Sequence, residues 1–196
     1  MNAIPMDELV ASESSIDGEE ARFRKILRDH AMASGDQRAR LRKVLVEYLR
    51  FSPQSDALIN GLILDCMEFA SPERLDIAID ILSQLGCSLV SYTKHFLLSD
   101  VSNWNNLYTQ REYEPDDDYC YVLLRSLARA NVPEASKLSI ILGCVEGGTR
   151  GILEAVVEAL ADMKTSKSHY ELVRLVELTK NSDPFIAELA QEHLEA

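Results

Sequence analysis

The densest group of side chains able to hold a metal ion or move a proton is Asp116-Asp117-Asp118. In a chain with 32 acidic residues, a run of acids is weak evidence of chemistry. Acids at a helix start are stabilised by the exposed N–H groups and the helix dipole, each by about 0.3–1 kcal/mol. The four histidines, His30, His95, His169 and His193, are far apart, and none has a second histidine four residues on. His30 and His95 fall close to apolar helix faces, where a hydrogen-bonded structural histidine is expected. The four cysteines, Cys66, Cys87, Cys120 and Cys144, are 21, 33 and 24 residues apart. Without a Cys-x-x-Cys they read as small buried hydrophobes in a reducing compartment, not as a zinc site or a disulfide framework. The chain has no Gly-x-Gly-x-x-Gly, Walker loop or Gly-x-Ser-x-Gly elbow. Gly147-Gly148 is explained as a corner between helices more simply than as a phosphate-binding turn. No catalytic residue, metal or cofactor is expected.

A different chemistry, that of recognition, is suggested by the irregular stretch 99–115 (SDVSNWNNLYTQREYEP). It holds the single tryptophan, Trp104, with Tyr108, Arg111 and Tyr113 among asparagines. Trp, Tyr and Arg are the residue types that dominate binding hot spots. Long insertions in compact domains are usually functional or disordered. Two roles fit: an exposed anchor for a partner, with Asp116, Asp117 and Asp118 as adjacent charge, or a plug that closes the end of the core.

Charge narrows the class of partner. The formal net charge is −12. Residues 1–20 carry six acids and no base, residues 21–50 carry nine bases against three acids, and the rest carries eleven bases against twenty-three acids. An acidic body of that kind repels nucleic acid and anionic lipid and favours a basic protein partner. The basic run, with Arg38, Arg40, Arg42 and Lys43 as a secondary candidate patch, reads as a solvated helix face. Its alternative is a nucleic-acid contact. No membrane partner is expected, since no apolar run approaches eighteen residues and the first residues have no basic-then-apolar leader.

These residues must be positioned by helices. Apolar residues recur at helical spacing along most of the chain, as in Leu58, Ile59, Leu62, Ile63, Cys66 and Met67. Asp17 with Glu20 reads as a capping box that starts the first helix, and Gly35 closes it. Ser52-Pro53, Ser71-Pro72, Val132-Pro133 and Asp183-Pro184 put proline where a helix begins. Gly86 and Gly147-Gly148 mark breaks. First helices of successive hairpins are expected near Asp36, Pro72, Asp116, Gly148 and Asp183, at intervals of 36, 44, 32 and 35 residues. The 44 contains the 99–115 insertion. A hairpin that repeats every thirty-odd residues must stack on its neighbours to bury its apolar face.

In Asp183, Pro184, Ile186, Ala190 and Leu194, and in Gly148 to Met163 with Ala155, Val156, Ala159 and Leu160, the chain resembles the HEAT-like helical repeats. Ala187 stands where that family usually has arginine. The resemblance implies an all-α fold, a right-handed α-α superhelix of helical hairpins. An irregular compact helical bundle is the alternative. HEAT-like DNA glycosylases share the scaffold but need a basic, aromatic-lined groove, which the acidic C-terminal repeats do not supply. The expectation is therefore an acidic leader over residues 1–16, mobile until bound, and one helical-repeat domain over 17–196. Its role is that of a cytoplasmic, non-enzymatic scaffold, adaptor or inhibitor for a basic protein. A small-molecule enzyme on the same scaffold is the remaining alternative.

Overall fold

The structure, a computed structural model, describes residues 6–67, 72–98, 117–146 and 148–196. They form ten helices and no strand: α1 (Met6–Met32), α2 (Gly35–Phe51), α3 (Ser55–Met67), α4 (Pro72–Ser83), α5 (Cys87–Leu98), α6 (Asp117–Arg129), α7 (Glu134–Gly143), α8 (Arg150–Met163), α9 (Ser166–Thr179) and α10 (Pro184–Glu195). The fold is all-α, as the periodicity requires. The chain divides into two compact units, Met1–Gly61 and Leu62–Ala196.

In the first unit, α1 packs on α2. Phe23, His30 and Ala33 are buried from the α1 side and Leu45, Val46 and Leu49 from α2. The Phe23 and Tyr48 rings lie 6.4 Å apart. Arg38 Nε–H donates to the Ala33 carbonyl at 2.8 Å, closing the end of α1 with a cation where the helix dipole is negative. The first helix does not begin at Asp17; it runs from Met6 through Asp17 and Glu20. Glu20 reaches forward, with its carboxylate 2.9 Å from Arg24. An i,i+4 pair of that kind supports a continuing helix as well as a capping box supports a beginning one.

The second unit is built around α8, which packs against α6, α7, α9 and α10. That position explains its sequence. A helix with neighbours on several sides has little solvent face, and Ala155, Val156, Val157, Ala159 and Leu160 are all fully buried. The small Ala155 and Ala159 let neighbouring helices approach closely. α4 packs on α6, α6 on α8, α8 on α10, and α5 on α7. Polar ties show the direction of the row. The start of α6 meets the start of α8, and the start of α8 meets the start of α10. The ends meet likewise, α6 with α8 and α8 with α10. Helices α6, α8 and α10 therefore run parallel, with α7 and α9 as the returning segments.

The starts near Asp36, Pro72, Gly148 and Asp183 all fall within two residues of a helix start. Thr149 caps α8 by accepting from Ile152 N–H, and Asp183 caps α10 by accepting from Ile186 N–H, with Pro184 in the first turn. At the α4–α5 corner Gly86 takes φ +62°, the left-handed region that a side chain disfavours. Among the described residues no single helix is long and apolar enough to cross a membrane. The nearest approach is α4 with α5, which are bent by 116°.

Two expectations about burial are corrected. Cys66 and Cys120 are buried and Cys144 is half-buried, but Cys87 is exposed, because it opens α5 ahead of that helix's first buried residue, Leu89. His95 is exposed as well; the buried positions of that turn are Thr93 and Phe96.

One position carries strain that substitution can relieve. Lys164 ends α8 with φ 51° and ψ 37°, left-handed backbone at a residue with a Cβ. Lys164→Gly is expected to stabilise the protein by about 0.5–1 kcal/mol, read as a higher thermal midpoint. A lower midpoint would show that the lysine side chain contributes more than its backbone costs.

Candidate functional site

The most concentrated polar constellation among the described residues joins the parallel helices. On α6, Tyr121, Arg125 and Arg129 recur every four residues and so share one face. On α8, Glu158 and Asp162 do the same. Arg125 donates to Asp162 through Nε at 2.7 Å and Nη2 at 3.0 Å. Arg129 donates to the same two oxygens at 3.0 and 3.3 Å. Arg125 also donates to the Tyr121 hydroxyl and approaches Glu158 at 3.8 Å. Across α8, His193 Nε2 lies 3.1 Å from Glu158 Oε1.

The electrostatics of this cluster suit fastening, not proton transfer. The Asp162 side chain is only 17% exposed, and burial pushes its carboxyl upward. The hydrogen bonds from Arg125, then Arg129, outweigh that and hold it below the ordinary carboxylate range. Its hydrogen bond to Asp162 raises the Arg125 guanidinium in turn. A carboxylate accepting from two forked guanidiniums has its lone pairs occupied, so it has little capacity to act as a general base.

A second tie lies at the other end of the same helices. Thr149 Oγ1 donates to Asp117 Oδ1 at 2.6 Å while accepting from Ile152 N–H. Gly151 makes room for that contact, since a Cβ there would stand 2.1 Å from the Asp117 carboxylate. Arg150 lies over the Phe185 ring at 4.4 Å and 3.7 Å from Asp183, joining the starts of α8 and α10. The partners in these ties are separated in sequence by 32 residues for Asp117–Thr149, 33 and 37 for the two arginines on Asp162, and 35 for Glu158–His193. That is the period read from the helix starts.

Of the sequence-predicted site residues, Trp104, Tyr108, Arg111, Tyr113 and Asp116 lie outside the described residues. Asp117 and Asp118 are exposed at the start of α6, and Asp117 is engaged by Thr149. Arg38, Arg40 and Lys43 are exposed and Arg42 is half-buried, with Arg38 turned back onto α1. Burial pushes the thiols of Cys66 and Cys144 up to about 11, which keeps them protonated and unreactive. No group of three or more potential metal ligands is found among the described residues. The Arg125–Asp162 clamp was not anticipated. Its only signal in the sequence was two i,i+4 pairs of opposite sign, Arg125 with Arg129 and Glu158 with Asp162, 33 residues apart.

No family model matches the chain, and no curated protein or solved structure matches it.

Two predictions follow from the ties. Because its folded-state carboxyl is held low, Asp162 contributes stability that is fully present above its unfolded value of about 3.9 and is lost as pH falls through the lower folded value. Asp162→Asn is expected to cost about 2–3 kcal/mol at neutral pH, with the deficit shrinking below about pH 4 in urea titrations. A deficit that stays constant with pH would assign the loss to packing. Gly151→Ala is expected to destabilise by about 1–2 kcal/mol through displacement of Asp117. In an Asp117→Gly background, which removes the Asp117 Cβ as well as its carboxylate, most of that cost is expected to disappear; a cost that persists would locate the crowding elsewhere.

Proposed function

We propose that the protein is a non-enzymatic binding scaffold, a HEAT-like superhelix of helical hairpins that holds a basic protein partner. The observation that carries this reading is the parallel row of α6, α8 and α10, tied at an interval that matches the sequence repeat. An up-and-down bundle alternates the direction of neighbouring helices, whereas a repeat array carries equivalent helices forward in one direction.

The distribution of charge supports a basic partner. Residues 62–196 contain eleven bases against twenty-two acids. Many of the bases are engaged within the unit: Arg125 and Arg129 with Asp162, Arg150 with Asp183, Lys167 with Glu134, and Arg174 with Glu171. Lys137 donates to the Ala128 carbonyl at the end of α6. Glu188, Glu192 and Glu195 meanwhile share the exposed face of α10 at i, i+4 and i+7. Carboxylates facing outward steer a cationic partner and reject anionic ones. The non-enzymatic reading draws on the clamp, whose acids are held by arginines. A cytoplasmic location is in keeping with four free cysteines.

In this reading Trp104, Tyr108, Arg111 and Tyr113 anchor the partner, and Asp116, Asp117 and Asp118 add charge beside them. The test is capture by the immobilised full chain from a nuclease-treated native lysate. A stoichiometric basic protein is expected, and Trp104→Ala is expected to weaken its binding by about 2 kcal/mol, roughly thirtyfold. Unchanged affinity together with lowered thermal stability would make Trp104 a core plug. Absence of any partner above background would count against the scaffold reading.

A further inference from the structure

The two units use their cations differently. In the second unit Arg125, Arg129 and Arg150 are spent on helix-to-helix ties. In the first unit Arg22, Lys25 and Arg28 on α1 and Arg40 and Lys43 on α2 are exposed, and they make no ion pair or hydrogen bond among the described residues. The run was expected to be a solvated helix face.

Their arrangement has a period. Arg22, Lys25 and Arg28 follow one another at three-residue steps, which on a helix gives a row of cations with a rise of about 4.5 Å per step. The row lies away from Phe23 and His30, which are buried. Arg40 and Lys43 repeat the three-residue step on the outer side of α2, away from Leu45 and Leu49. Over residues 21–50 the bases number nine and the acids three.

We propose that the outer surface of the α1–α2 pair is a second binding surface, complementary to the phosphodiester backbone of a nucleic acid and contacting it without reading sequence. Evenly stepped point charges suit a polymer with evenly spaced phosphates, and arginine adds forked donors that match phosphate oxygens. An interfacial lipid contact would need a continuous apolar helix face open to the bilayer; Phe23 on α1 is buried, and the exposed large apolar residues of this unit, Met32, Val44 and Phe51, are scattered among polar ones. The acidic charge of residues 62–196 opposes the approach of a polyanion. Salt screens each field over about 10 Å at 0.1 M, so the local row decides close contact. This inference is independent of a protein partner on the second unit.

The test is fluorescence anisotropy of a labelled mixed-sequence DNA duplex with the full chain, between about 50 and 200 mM salt. Saturable binding is expected at the lower salt, falling about 100-fold at the higher if some four phosphates are neutralised. Arg22→Gln/Lys25→Gln/Arg28→Gln is expected to weaken binding at least tenfold with an unchanged circular dichroism spectrum. Arg40→Gln/Lys43→Gln provides a second variant, remote from the first in sequence. Lys94→Gln/Lys180→Gln, two exposed cations of the other unit, is expected to bind as the parent does. No binding at the lower salt would overturn the proposal, as would equal losses in all three variants. Binding to phosphatidylserine vesicles as tight as to the duplex would also overturn it and assign the surface to a membrane.

Discussion

A carboxylate placed between two helices away from water must be matched there, and Asp162 is matched twice over. Bringing it into the α6–α8 contact would be unfavourable for a bare charge; Arg125 and Arg129 reverse the sign by each offering a fork of donors. Because a fork fits a carboxylate in few geometries, the clamp fixes where α6 sits along α8. Sliding α8 by one helical turn would bring Glu158 to the level of Asp162, and its longer arm would not place its oxygens where the two guanidiniums converge. Apolar packing along this contact is tolerant of such slips, since leucine and valine grip without direction. The polar tie supplies what the hydrophobic contact lacks.

The same logic extends outward from α8. Thr149 completes its own helix cap and reaches Asp117 on the preceding first helix, so one hydroxyl serves both local and tertiary structure. Arg150 does this in the other direction, stacking on Phe185 and approaching Asp183, which itself caps α10. Helices α6, α8 and α10 are thus joined near both ends, with apolar residues buried between the ties. Each arginine in these ties also occupies a carboxylate, so the excess of twenty-two acids over eleven bases in residues 62–196 comes from the sequence and not from the ties.

What the sequence made legible was whatever is local. Proline at a helix start and glycine at a corner act within a few residues, and so Pro72, Gly86 and the starts near Gly148 and Asp183 could be placed by inspection, whereas the capping box read at Asp17 and Glu20 lies inside α1. Contacts between helices were visible only as a period. Nothing local distinguishes Asp162, which binds two arginines, from Glu192, which faces solvent; the difference is made by residues 33 and 37 positions away. Asp117 illustrates the same limit. It was read as partner-facing charge, and its carboxylate lies against Thr149 and the bare backbone of Gly151. Cys87 and His95 failed for a different reason. An apolar helical pattern says that one face is buried, but a residue near the boundary of that face is assigned by the angle of the neighbouring helix, which the pattern does not contain.

Arginine and lysine therefore carry two meanings in this chain, and position in the fold separates them. In the second unit Arg125 and Arg129 are recognisable as structural once Asp162 is found 37 and 33 residues away. In the first unit no such carboxylate meets Arg22, Lys25, Arg28, Arg40 or Lys43 among the described residues, and the pair α1–α2 is held instead by Phe23, Leu45, Leu49 and the Arg38 cap. With Arg38 closing the corner and Arg24 paired with Glu20, these five cations have no structural partner among the described residues. Solubility alone would be served by charges of either sign, interspersed. Five cations of one sign, stepped at threes on two packed helices, concentrate a field that an anionic polymer is suited to meet.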